Sequence, residues 1–214
     1  MVVSIMRNAY HQALDNTRLD VVRLGALVSD AVRTATQALE RRDVVLAGRV
    51  VAGDDEVDDM RRSVEATCIE LIWKQQPVAG ELRAIAGMLQ IVTDLERIGD
   101  YAVDISKNAI KLADVAVRPA SVEVGRIASL AYEMLVDVMR AYSEGDSVLA
   151  DAVIERDDQV DKLYHSSLET LQAEMQRDPG TVPAGTLLLF IVSIIERVGD
   201  RAQNIAWHTK DIYG

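Results

Sequence analysis

Acidic side chains four residues apart recur along the chain: Asp54 with Asp58, Glu96 with Asp100, Asp157 with Asp161, and Glu196 with Asp200. On a helix this spacing makes two carboxylates neighbours, and like charges there cost roughly 0.2–0.5 kcal/mol per pair. Setting one such pair beside another across a helix interface adds a desolvation cost. Hard cations offset both terms, because they take carboxylate oxygens and bridge adjacent side chains. Asp104 extends the first-half row by one step, and Asn204 holds the equivalent place in the second half. His165 continues the row Asp157, Asp161 and offers a nitrogen ligand. His208 continues the row Glu196, Asp200, Asn204, but its rotation around the helix carries it too far from Glu196 to share an ion. The expected metal ligands are therefore Asp54, Asp58, Glu96, Asp100 and Asp104 in one half, and Asp157, Asp161, Glu196, Asp200, Asn204 and His165 in the other. Counting carboxylates favours the first half for a hard cation. The competing reading is a solvated acidic face neutralised by Arg61, Arg62, Arg97 and Arg197.

These rows work only if helices carry them. At 100° per residue, Glu96 and Asp100 fall about 40° and 80° from Val92, on the shoulder of an apolar stripe that includes Ile85, Met88, Leu95 and Val103. Glu196 and Asp200 repeat the angles from Val192, Asp54 and Asp58 from Val50, and Asp157 and Asp161 from Val153. Proline bounds the helices, since it stops a helix and disfavours helical geometry in the residue before it. Pro77, Pro119, Pro179 and Pro183, with breaks at Glu40 to Asp43 and Ser143 to Asp146, leave six helices, near 9–41, 43–75, 80–114, 121–144, 147–177 and 184–212. Asp43 and Asp146 are the expected N-caps.

The two halves repeat one another. Asp43 to Asp58 and Asp146 to Asp161 share nine of 16 residues, and Ile91 to Asn108 and Ile191 to His208 share eight of 18. The expected fold is all-α, two tandem three-helix bundles occupying 1–118 and 119–214, since long amphipathic helices joined by short loops pack as antiparallel bundles.

Composition narrows the function. The chain has 214 residues, 34 Asp plus Glu against 23 Lys plus Arg, and a formal net charge of −11. Such a balance repels phosphate backbones and anionic lipid, so neither nucleic acid nor direct membrane insertion is expected. The long uncharged stretch Gly180 to Ile195 is shorter than a membrane span, and the N-terminus lacks a basic region ahead of its apolar stretch. The lone Cys68, on an apolar stripe with Leu71, reads as a buried thiol in a reducing compartment. A cytoplasmic protein is the expectation. Di-iron oxidases on helix bundles use Glu-x-x-His, which this chain lacks, so an enzyme is not expected.

Several stretches together resemble one family. Met6-Arg7-Asn8-Ala9-Tyr10-His11-Gln12-Ala13-Leu14 is similar to the opening of the PhoU family, which makes Met1 to Ile5 a tail or Met6 an alternative start. Gln75-Gln76-Pro77-Val78-Ala79-Gly80-Glu81-Leu82-Arg83-Ala84-Ile85 resembles its loop between second and third helices, where Asp often replaces Glu81. Glu96-Arg97-Ile98-Gly99-Asp100 and Glu196-Arg197-Val198-Gly199-Asp200 resemble its paired metal motif. The resemblance implies a PhoU-like fold and multinuclear iron or zinc clusters on the acidic faces, with manganese and magnesium as alternatives. It also implies a cytosolic, non-catalytic regulator that shuts down the phosphate-starvation response, linking a phosphate ABC transporter ATPase to a sensor histidine kinase, with a homodimer expected. The alternative is a metal-free helical scaffold or chaperone-like interaction protein. No phosphate site is legible, since there is no Gly-rich loop ahead of a helix.

Overall fold

The computed structural model describes residues 2–75, 77–116 and 124–214, with side chains from Arg7 onward except at Gln75. Among the described residues all regular structure is helical: α1 (Val2–Arg41), α2 (Val44–Ala52), α3 (Asp54–Gln75), α4 (Ala79–Ala113), α5 (Val124–Glu144), α6 (Ser147–Arg177) and α7 (Val182–Tyr213), with a 3-10 turn at Pro179–Thr181.

The same chain reversal opens the middle helices of both halves. Asp43 accepts from the Val45 and Leu46 N–H groups, and Asp146 accepts from those of Val148 and Leu149, as expected of N-caps. The residue before each cap is left-handed, Arg42 at φ 55° and Gly145 at φ 67°. Each cap N–H donates back to the preceding helix at 2.9 Å, Asp43 to Ala38 and Asp146 to Ala141.

Three boundaries differ from the expectation. The single helix over 43–75 is broken at Gly53, whose N–H donates to both Arg49 and Val50 carbonyls at 3.1 Å before the chain restarts as α3. Glycine is a poor helix former, and the acids Asp54, Asp55 and Glu56 suit a new helix N-terminus. The repeat has Arg156 there, and α6 runs through. At the other end, α7 starts at Val182, because Pro183 in a first turn gives up no needed N–H. The first helix begins at Val2 instead of near residue 9. The start expected at 121, the junction at Pro119 and the boundary at 118/119 lie outside the described residues.

α4 and α7 pack against each other at the centre; α1, α2 and α3 flank α4, and α5 and α6 flank α7. Ile85, Met88, Ile91, Leu95, Ile98 and Ile105 of α4 face a common core with Ile191, Val192, Ile195, Val198 and Ile205 of α7, all buried. A Cβ on Gly87 would lie 2.6 Å from Ile212, so glycine there admits α7 at close range. By composition α7 has the length and hydropathy of a membrane span, yet its apolar side lines this core. Cys68 is fully buried, as expected, and burial pushes its thiol up to about 11.

Candidate metal centre

The acidic rows face one another across two helix pairs, α3 with α4 and α6 with α7. Close approach is possible because the motif carries a glycine between its two acids. A Cβ at Gly99 would stand 3.0 Å from Val57, and one at Gly199 would stand 3.3 Å from both Asp157 and Val160. Across the first pair, burial raises the Asp54 carboxyl, and the charges of Asp100 and Asp58 add to it. Glu96 is raised by burial and by Asp100, with Arg97 and Arg61 opposing. Across the second pair, Asp157 is 7% exposed and is pushed up to about 6, by burial first and then by Asp200, Asp161 and Glu196. Burial, Asp200 and Asp161 raise Glu196, and burial and Asp161 raise Asp200.

Neutralisation differs between the halves. Arg97 donates to Asp100 at 3.4 Å and lies 3.8 Å from Glu96, and Arg62 donates to Asp58 at 3.3 Å and to Asp59 at 2.7 Å. The salt-bridged reading therefore holds in part for the first half. Among the described residues, Asp157, Asp161, Glu196 and Asp200 make no ion pair; Arg197 and Arg201 act on them only at longer range. Asp157 Oδ1 is buried with no hydrogen-bond partner. An orphaned carboxylate oxygen among three other acids is what a cation would satisfy.

The expected ligands are thus only partly assembled. Asp54, Asp58, Glu96 and Asp100 lie within each other's fields, as do Asp157, Asp161, Glu196 and Asp200. Asp104 is exposed, one turn further on, and Asn204 is half-buried. His165 is exposed on α6, near enough for its charge to act on Glu196. Among the described residues no three of His, Cys, Asp and Glu are drawn together into a ready ligand cage.

Sequence reasoning missed Asp94, a buried acid of α4 that accepts from Arg201 of α7 at 3.0 Å and lies 3.6 Å from His208 Nε2. The available signal was the repeat, which puts Ile194 at the position equivalent to Asp94.

The PhoU domain family matches residues 21–109 and again 124–208, one copy on each half of the fold. The chain belongs to the PhoU family. It is 37% identical over 184 residues to the phosphate-specific transport system accessory protein PhoU homolog of Aquifex aeolicus, covering 86% of this chain and 83% of that one. The PhoU homolog of Pseudomonas aeruginosa is 33% identical over 198 residues, covering 92% and 82%. The crystal structure of PhoU from Pseudomonas aeruginosa superposes with a TM-score of 0.91 at 32% identity, over 94% of this chain and 96% of that one. PhoU from Streptococcus pneumoniae shares the fold at a TM-score of 0.86 and 24% identity, over 94% of each chain. The all-helical, twice-repeated architecture expected from the repeat, and the PhoU fold implied by the resemblance, are therefore the observed ones.

Proposed function

We propose that this chain is a cytosolic negative regulator of the phosphate-starvation response and of phosphate uptake. In this reading it is a non-catalytic, metal-binding adaptor, working as a homodimer between the ATPase of a phosphate ABC transporter and a sensor histidine kinase. Similarity over most of both chains to proteins named as accessories of the phosphate-specific transport system carries the reading. In the first half Asp54, Asp58, Glu96 and Asp100 would hold the metal, with Asp104 at the edge. In the second, Asp157, Asp161, Glu196 and Asp200 would do so, with Asn204 and His165 at the edge. The donor set suits iron, zinc, manganese or magnesium, and the unpartnered Asp157 oxygen supports the fit. When bound, an ion would supply positive charge between the facing rows, and the chain's own contribution is to hold two carboxylate rows at fixed separation.

Deletion of the gene should derepress a phosphate-uptake reporter in phosphate-rich medium. Unchanged output, in a strain with no second copy, would sink the regulatory reading. A metal-free scaffold is favoured by one observation, the Arg62 and Arg97 pairs in the first half. Elemental analysis of protein purified without chelator separates the two, since a scaffold would carry no stoichiometric metal.

A further inference from the structure

Two helical turns beyond an acid of each row, the halves carry different residues. The repeat sets α3 against α6 at an offset of 103, and α4 against α7 at an offset of 100. In that register Arg61, seven residues after Asp54, becomes Tyr164, and Lys107, seven after Asp100, becomes Trp207. Seven residues at 3.6 per turn return to within about 20° of the starting face, so all four residues stand on the acidic shoulder of their helices. The helices of each pair run antiparallel, with Gly99 facing Val57 and Gly199 facing Val160. Lys107 therefore closes the first-half rows at the Asp54 end and Arg61 closes them at the Glu96 end, where each opposes the neighbouring acids in acting on that carboxyl.

Arg61 is drawn in against its helix pair. Its side chain is 29% exposed, its Nη1 lies 2.8 Å from Glu65, and its Nε is buried without a hydrogen-bond partner. The side chains of Arg62 and Arg97 are 57% and 55% exposed. In the second half Tyr164 is half-buried against the core. Trp207 is exposed, with the Lys210 ammonium 5.1 Å from its ring centroid and paired to Asp151. Of the other charges, Arg97 and Arg197 are common to both halves, and His165 takes the place of Arg62. Arg201 takes the place of Tyr101, but donates across the seam to Asp94 at 3.0 Å. Two cations at the ends of one pair of rows thus have neutral aromatic counterparts in the other.

We propose that Arg61 and Lys107 are built-in counter-ions that rank the two metal sites, so that the α6–α7 rows fill first and the α3–α4 rows take an ion only at higher metal concentration. The inference deepens the metal-binding reading above and rests on it. A divalent ion entering between α3 and α4 comes into the field of two resident positive charges, and repulsion from a guanidinium held against the helices is screened less than that from an exposed one. Between α6 and α7 the orphaned Asp157 oxygen has neutral aromatics at the same two positions. Metal availability then changes the occupancy of the first half over a range in which the second is already full.

The test is titration of manganese(II) chloride into the full, metal-stripped chain, followed by paramagnetic broadening of amide NMR resonances. Val160 and Val198 should broaden at a metal concentration roughly tenfold below that for Val57 and Ile98. Arg61→Tyr with Lys107→Trp gives the first half the residues of the second and should bring the two sets of resonances together. Tyr164→Arg with Trp207→Lys should weaken the second half instead. Lys107 and Trp207 are exposed, so Lys107→Gln and Trp207→Lys alone probe the charge without disturbing the packing. The first should tighten binding in its own half only, and the second should weaken it in its own half only. Arg61→Lys keeps the charge and should keep the parent's order, which a packing role for the guanidinium would not. Both halves of the parent broadening together, the first half broadening ahead of the second, midpoints unmoved in the charge variants or an order lost in Arg61→Lys would each overturn the ranking and leave the metal reading standing. Broadening in neither half would overturn both.

Discussion

Protonation of Asp157 ties the second acidic cluster to stability. Burial, then the charges of Asp200, Asp161 and Glu196, push its carboxyl up to about 6 in the folded chain, against about 3.9 for an unperturbed aspartate. Between those values the folded state holds a proton that the unfolded state has released, so stability falls as pH rises through that window. The metal-free protein should lose roughly 1 kcal/mol from this group between pH 5 and pH 7. Asp157→Asn should remove that part of the slope, as urea unfolding in chelator will show; a slope unchanged by the substitution would put its origin elsewhere. The same logic reverses the expectation from counting carboxylates. Arg62 and Arg97 already neutralise part of the first cluster, whereas the second has no ion pair among the described residues. Added iron, zinc or manganese raises the melting temperature by mass action, and Asp200→Asn should cut that rise more than Asp100→Asn. Equal loss in both variants would mean that the arginines do not matter to binding. The rows were legible in the sequence because i, i+4 spacing and repetition fix an angular position. Their unequal neutralisation was not, because Arg62 and Arg97 each have several acids within one helical turn and spacing does not choose among them.

At the scale of the element, caps marked both chain reversals correctly, since Asp43 and Asp146 satisfy backbone donors, whereas Pro183, expected to precede the last helix, sits inside its first turn where no N–H is needed. The α2–α3 break was not legible, because one glycine in an apolar-periodic tract weakens a helix by only about 1 kcal/mol and does not dictate a stop. Gly53 lies at φ −89° and ψ −1°, close to helical geometry, and a Cβ there has room. Gly53→Ala should therefore stabilise the chain by about 0.4–1 kcal/mol, chiefly by restricting the unfolded state. A loss of stability would show that the break is needed by its surroundings. The cap turns give a paired prediction. Arg42 adopts a left-handed conformation that Gly145 adopts at the equivalent place without a side chain. Arg42→Gly should gain up to about 1 kcal/mol and Gly145→Ala should lose at least as much, the latter also pressing a Cβ to 3.3 Å from Tyr213. Chemical denaturation of both variants checks the signs, and like signs would refute the turn argument.

For the whole molecule, repetition made the architecture readable: two copies of one three-helix unit have to bury their third helices, and α4 against α7 does so. The asymmetry of that central seam escaped the reading, because an apolar-periodicity argument treats an occasional acid as surface. Asp94 and Arg201 replace what the repeat would place there, Ile194 and Tyr101 being their counterparts, and the pair joins the halves at 3.0 Å with Asp94 8% exposed. Asp94 and Tyr101 both favour the charged guanidinium of Arg201. A buried carboxylate that loses its cation is left uncompensated, so the pair should behave as a lock between the halves and not as a surface contact. Asp94→Asn and Arg201→Gln should show a coupling energy of about 1–3 kcal/mol in a double-mutant cycle by urea unfolding. His208→Gln should cost less, since His208 lies 3.6 Å away and adds attraction only when protonated. A coupling below about 0.5 kcal/mol would give the pair the magnitude of an exposed salt bridge. The seam would then be held chiefly by its apolar residues, with the Asp94–Arg201 pair adding little to the register of one half on the other.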